Sequence, residues 1–260
     1  MQSGSIQCQI TAIEPVTLKE QKGQLITYDF EGYGETQPFF KADNTILDSE
    51  ALRRQSLSRM PLKYVYKRAN EFDWTLYGDT DTSQLKKIVN LFVVRFAEWE
   101  KAGKGLYITS KCCGSGKTML ACCIANELIK RVGLSVKFVT SQEYVELMRK
   151  NDDDSKEQIK NMKDCLLLIL DDIGAEASGK DWTQSVIFGL VNYRHERFLP
   201  TIYTSNFDYD DLKEDARTID RIRSHTAPIY MPNVSVRRKI ADKENKDFIN
   251  SLSKTDEKIF

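Results

Sequence analysis

From Leu106 onward the apolar positions fall into two kinds of stretch that take turns along the chain. Leu106-Tyr107-Ile108, Val136-Lys137-Phe138-Val139, Cys165 to Leu170, Thr201-Ile202-Tyr203-Thr204 and Ala227 to Met231 are short runs of strand length. Between them the spacing is helical. Leu120, Ile124 and Leu128 recur at i, i+4, i+8 and stop at Gly133, and Trp182 to Phe198 puts Val186, Ile187, Leu190 and Val191 on one face before Leu199-Pro200. Thr140-Ser141-Gln142-Glu143 has capping-box spacing ahead of a helix over Tyr144 to Arg149. Strands alternating with helices predict an α/β fold on a parallel sheet, and Cys165 to Leu170, with no polar interruption, predicts a central strand covered on both faces.

Upstream, Ser83 to Lys101 carries Leu85, Ile88, Val89, Phe92, Val93 and Phe96 at helical spacing and predicts one core-facing helix before the first strand. Asn151 to Glu157 is acidic and predicts a solvated loop; Arg217, Arg221 and Arg223 cluster on a predicted short helix. Residues 1–55 lack the helical period. Ile6 to Ile10 and Leu25 to Phe30 alternate instead, separated by glycines and a proline, which predicts a small β-rich appendage. The division expected is 1–55 as that arm, 56–240 as the main domain and 241–260 as a charged C-terminal helix or tail.

Composition changes this picture little. The 260 residues, 41% of them hydrophobic, suffice for one α/β domain and an appendage. Lysine plus arginine balance aspartate plus glutamate at 38 each, so any nucleic-acid contact has to come from a local patch. The six cysteines include adjacent pairs and no C-x-x-C, which argues against a disulfide framework or structural zinc and for a reducing, cytoplasmic setting. Neither a secretory leader nor an apolar run near roughly 18 residues is present, so no membrane association is expected.

The chemistry is concentrated after the first strand. Gly114-Ser115-Gly116-Lys117-Thr118 opens onto a helix, where glycine backbone and helix N-terminus can cradle phosphates, Lys117 can reach the outer ones and Thr118 can ligate Mg²⁺. The usual pattern has a glycine where this chain has Lys111; if that position needs positive φ, the lysine costs about 1 kcal/mol. The apolar run at 165–170 ends in Asp171-Asp172, at the strand end where ligands of open parallel sheets sit. One carboxylate can hold Mg²⁺ with Thr118, and its neighbour can orient or deprotonate an attacking water. Asn206 could polarise a water near the γ-phosphate or serve as a turn residue.

Together with Leu168 to Glu176, Val191-Asn192-Tyr193-Arg194, Pro200 to Asn206 and Asp220-Arg221-Ile222-Arg223, this loop resembles the DnaC/DnaI family of bacterial and phage replicative-helicase loaders. Met60-Pro61-Leu62-Lys63-Tyr64 and Phe72 are similar to the segment those proteins carry before the core. The resemblance implies a P-loop ATPase of the AAA+ type, sheet order 5-1-4-3-2, no full C-terminal lid, and ATP with Mg²⁺ as cofactors. It assigns nucleotide binding to Cys113 through Met119 and to Arg237 as second sensor, metal binding to Thr118 and Asp171, and catalysis to Asp172, Asn206 and Arg221, the last offered to a neighbouring subunit. The implied partners are a DnaB-type hexameric helicase, single-stranded DNA along Arg149 to Lys163, and further copies of the chain in a ring or helix. Hydrolysis then acts as a release switch. An IstB-like transposition helper and a nucleotide-gated helicase-binding module or inhibitor with little hydrolysis are the alternative readings, with a small-molecule kinase the weakest.

Overall fold

The computed structural model describes residues 8–18, 21–30, 34–35, 39–42, 49–150, 152–175 and 181–252. They divide into two compact units, Met1–Leu52 and Arg53–Phe260. The first unit is an antiparallel sheet. Its long strands β1 (Cys8–Leu18) and β2 (Gln21–Phe30) pair from Cys8 opposite Phe30 to Leu18 opposite Gln21, with a register irregularity between Ile10 and Ala12. The short strands β3 (Gly34–Glu35) and β4 (Phe39–Ala42) pair with opposite ends of β2. Pro15 sits on β1, an edge strand among the described residues, the kind of position where proline is found in sheets. Ile6 lies outside the described residues.

Helix α1 (Ser49–Leu57) spans the division, so the end of the stretch expected to be β-rich is helical; in the second unit two 3₁₀ turns, Ala69–Glu71 and Trp74–Tyr77, lead to α2 (Ser83–Val94) and α3 (Phe96–Lys101). Strand and helix then alternate: β5 (Gly105–Thr109), α4 (Lys117–Val132), β6 (Val136–Thr140), α5 (Ser141–Lys150), α6 (Asp153–Asp164), β7 (Leu167–Asp171), α7 (Asp181–Glu196), β8 (Thr201–Ser205), α8 (Ala216–His225), β9 (Thr226–Tyr230) and α9 (Val236–Leu252). The five core strands are parallel in the order β6-β7-β8-β5-β9. Counted one to five along the chain, this is the expected 5-1-4-3-2. Every residue of β5, β7 and β8 is buried, as strands covered on both faces must be. Register puts Thr109 beside Ser205 and Tyr230, and Thr140 beside Asp171, so the polar strand ends meet along one edge. Among the described residues no helix is long and apolar enough to cross a membrane.

Two local expectations are corrected. The helix expected over Ser83 to Lys101 is broken at Arg95 (φ −112°, ψ 32°), although Leu85, Phe92 and Phe96 still face the core and the rings of Phe92, Phe96 and Trp99 meet edge to face. The acidic stretch read as a loop instead starts α6: Asp152 accepts a 2.7 Å hydrogen bond from the Ser155 N–H, and Asp153 and Asp154 occupy the first turn. Carboxylates at a helix N-terminus satisfy free N–H groups and oppose the dipole, so a polar run can begin a helix as well as form a loop. Of the capping box at Thr140, one half is formed. The Glu143 N–H donates to Thr140 Oγ1 at 3.1 Å, while the Glu143 carboxylate faces Arg59 at 3.4 Å.

Arg194 of α7 ties the opposite, entry end of the sheet together. It is 1% exposed, and its guanidinium donates to the carbonyls of Met162, Lys163, Cys165 and Pro200 and to Thr201 Oγ1, all within 3.1 Å. These acceptors belong to the end of α6, the entry to β7 and the entry to β8. Replacing Arg194 with alanine strands several buried carbonyls and should cost about 3 kcal/mol, since each unmet buried group carries a desolvation penalty. Thermal melting should fall by roughly 6–12 °C for a unit of this size, and an unchanged melting temperature would show that the clamp contributes nothing.

Candidate functional site

Between the buried end of β5 and the start of α4 the chain makes the loop that the glycines suggested. Gly114 (φ 78°) and Gly116 (φ 95°) both occupy the left-handed region. A Cβ on Gly114 would lie 3.0 Å from Arg237 Cβ, and one on Gly116 3.0 Å from the Tyr77 hydroxyl, so a side chain at either position would crowd its neighbour as well as strain the backbone. Lys111 does not need positive φ: among the described non-glycine residues only Arg59, Asp172 and Phe198 adopt it. The cost expected at Lys111 is therefore absent. Its N–H donates to Asn233 Oδ1 at 3.0 Å, and its ammonium pairs with Asp211 at 3.2 Å and Asp208 at 3.8 Å on the surface.

The loop is clasped from two distant parts of the chain. The Tyr77 hydroxyl donates to the Ser115 carbonyl at 2.6 Å from beneath, and burial raises its pKa, keeping it a donor. From the segment after β9, the Arg237 N–H donates to the Gly114 carbonyl at 3.0 Å, and Asn233 Oδ1 accepts from Ser110 Oγ at 3.0 Å. Phe72, Leu76 and Tyr77 on one side and Val236 and Ile240 on the other line a cavity of about 360 Å³ that opens beside Gly116 and Met119. Tyr77 and Asn233 were not singled out from the sequence, where only the aromatic spacing of Phe72, Trp74 and Tyr77 could have pointed to this wall.

At the strand ends, Asp171 is 5% exposed and accepts from Thr204 Oγ1 at 2.6 Å and from Thr118 Oγ1 at 3.0 and 3.2 Å. Burial pushes its carboxyl up to about 6, reinforced by the neighbouring Asp172 and opposed by the hydroxyls and Lys117. Asp172 takes a left-handed conformation (φ 56°), held by its N–H to Thr204 Oγ1 at 3.0 Å and by Ser141 Oγ donating to its carbonyl at 2.9 Å. Its half-buried carboxylate makes no hydrogen bond or ion pair among the described residues. Lys117 is 6% exposed, and its ammonium donates to Asn206 Oδ1 at 2.8 Å, the Cys112 carbonyl at 3.2 Å and Ser115 Oγ at 3.3 Å. Desolvation lowers its pKa, with Asp172 chief among the charges opposing that.

Lys117, Thr118, Asp171, Asp172 and Asn206 thus converge from α4, β7 and β8, with Gly114, Ser115, Gly116 and the exposed Cys113 in the loop and Met119 on the first turn behind it. Arg221 belongs elsewhere. On α8 it donates to Asn192 Oδ1 at 2.5 Å and lies over the Phe188 ring at 5.0 Å, with no contact to this loop among the described residues. Glu176 lies outside the described residues. Two left-handed glycines before a helix N-terminus, a buried ammonium among neutral oxygens, and a hydroxyl facing a carboxylate make a donor set that fits a magnesium nucleotide. Among the described residues no group of three carboxylate, histidine or cysteine side chains could hold a metal ion.

Residues 40–243 match a family model described as "IstB-like ATP binding protein". The replicative helicase loader DnaI of Bacillus subtilis (strain 168) is 36% identical over 145 residues, 50% of this chain and 46% of that protein. The replicative helicase loader DnaC of Escherichia coli (strain K12) is 31% identical over 116 residues, 42% of this chain and 46% of that one. A crystal structure of DnaI aligns with a TM-score of 0.57 at 32% identity, over 66% of this chain and 95% of that chain. The chain spans about half the length of the curated relatives it matches.

Calorimetry with ATP and Mg²⁺ tests the site. Lys117→Ala should abolish the binding heat that the parent chain gives. Tyr77→Phe, which removes one hydrogen bond from beneath the loop, should weaken binding by about 1 kcal/mol, roughly fivefold. Equal heats for all three proteins would place nucleotide binding elsewhere.

Proposed function

The chain belongs to the family of IstB-like ATP-binding proteins, and on that footing we propose that it is an ATP-dependent loader of a DnaB-type hexameric replicative helicase onto single-stranded DNA. The observation that carries the reading is the meeting of Lys117, Thr118, Asp171 and Asn206 at one edge of the sheet; two relatives named as replicative helicase loaders direct it toward loading. The working form is an oligomer of this chain in the cytoplasm. Residues 56–240 form the ATPase domain, 1–55 are an arm available for helicase binding, and 241–260 are a charged tail.

Thr118 and Asp171 would hold Mg²⁺, which would supply positive charge beside the phosphates of bound ATP. Lys117 neutralises the outer phosphates, and Asn206 holds its ammonium in place. Asp172, whose carboxylate is engaged by no side chain among the described residues, orients the attacking water and takes up its proton. Arg237, whose backbone is bonded to the loop, senses the nucleotide from the segment after β9. Arg221 acts on a neighbour's nucleotide, so turnover requires assembly, and hydrolysis removes the preference for the assembled state and releases the helicase. Single-stranded DNA follows Arg149 to Lys163, along the end of α5 and α6. The name of the family model also supports a second reading, a transposition helper of the IstB type, whose partner would be a transposase.

A cognate hexameric helicase should be retained by the protein and deposited on single-stranded DNA only with ATP present. Arg221→Ala should keep nucleotide binding and lose roughly 10³-fold in DNA-stimulated turnover. Retention of a transposase and not a helicase would select the second reading, and an Arg221→Ala protein that still turns over would remove the neighbour-dependent step.

A further inference from the structure

Behind the loop, on the other side of Phe72 from the cavity already described, lies a second cavity of about 380 Å³ between α2 and α4. Helix α2 turns a second face into it: Lys86, Val89, Asn90 and Val93 follow one another at i, i+3, i+4 and i+7, distinct from the core positions Leu85 and Phe92. Opposite, α4 contributes Leu120, Ile124, Glu127 and Arg131 at i, i+4, i+7 and i+11, and Phe72 and Trp74 close one end. The result is a groove between two helices with an apolar floor.

Its charge is one-sided. Four cations line it, Arg68, Lys86, Lys130 and Arg131, against one carboxylate, Glu127. That carboxylate is already engaged, accepting from Arg131 Nε and from the Ala69 N–H at 3.4 Å each. Arg68, Lys86 and Lys130 form no ion pair among the described residues, although Glu71 feels the charge of Arg68 and Asp81 that of Lys86. The aromatic side chains do not form a platform for a nucleobase: Lys86 lies over the Trp74 ring at 5.3 Å, and Phe72 is tilted against Trp74 at 4.6 Å. An apolar floor at helical spacing, edged by unpaired cations, complements a helix that carries large apolar residues on one face and carboxylates beside them.

We propose that the α2–α4 groove is a docking site for an acidic amphipathic helical segment of a partner protein. The site is separate from the nucleotide but shares Phe72 and α4 with it, so it stands whether or not the partner is a helicase. The anchors are apolar side chains seated on Val89, Val93 and Ile124, and the selecting contacts run from carboxylates to Lys86, Lys130 and Arg68.

Fluorescence anisotropy with the full chain tests this, using a labelled helical peptide of about 14 residues, four turns, with leucine on one face and glutamate elsewhere. The controls are the same peptide with lysine for glutamate and a labelled oligothymidylate. The glutamate peptide should bind at least tenfold more tightly than the lysine peptide, and added salt should weaken it. The double variant Lys86→Glu/Lys130→Glu, altered only at exposed positions, should lose at least tenfold of that affinity while melting and ATP heat stay at the parent values. Equal binding of the two peptides, undiminished binding by the double variant, or displacement of the peptide by oligothymidylate would each overturn the proposal.

Discussion

An ammonium and a carboxylate, both nearly closed off from water, share the carboxyl edge of one sheet without bonding each other. Burying either charge alone is costly unless its hydrogen-bonding capacity is met. Here each is met by neutral oxygens: Lys117 by Asn206, Ser115 and loop carbonyls, Asp171 by the hydroxyls of Thr118 and Thr204. The groups stay near enough to influence one another's protonation, yet neither is neutralised by a salt bridge among the described residues. An arrangement of this kind keeps both available for a ligand that brings negative charge to the lysine and a cation to the carboxylate.

The parallel sheet makes this possible. Its register brings Thr109, Ser205 and Asp171 to one edge, and Thr204, one residue short of the end of β8, can reach both the Asp171 side chain and the Asp172 backbone. Arg194 holds the opposite, entry end of β7 and β8 through carbonyls from three segments. The loop itself is bonded from both flanks of the core, by Tyr77 ahead of it in the chain and by Asn233 and Arg237 behind. A displacement of the loop therefore has to move the aromatic segment at 72–77 or the start of α9, the same two elements that line the cavity beside Gly116.

Much of this was legible beforehand because it is local. Apolar runs of strand length and helical repeats located the five core strands and helices α4, α5 and α7, and Gly114 to Thr118 with Asp171-Asp172 marked the loop and its acidic partner strand. Where local patterns failed, competing local physics explains it. Asp152 to Asp154 satisfy helix N–H groups as readily as they face water, so their composition could not separate a loop from a helix start. At Lys111 the missing glycine looked like strain because the pattern was read as a conformational requirement; the chain meets the need for positive φ at Gly114 and Gly116 alone within that loop.

By itself the sequence determined the five core strands and most of the helices between them, that phosphate chemistry sits after the first core strand, and, through family resemblance, the strand order. Only the tertiary structure decided that Asn206 binds Lys117, that Tyr77 and Asn233 support the loop, that Arg194 is caged by carbonyls, and that α2 and α4 leave a cationic groove between them. Periodicity and loop chemistry act within a few residues of one another. Apart from Pro200 and Thr201, six and seven positions from Arg194, the second set joins residues tens to more than a hundred positions apart, and their meeting depends on how the sheet is wound and packed, which no local spacing records.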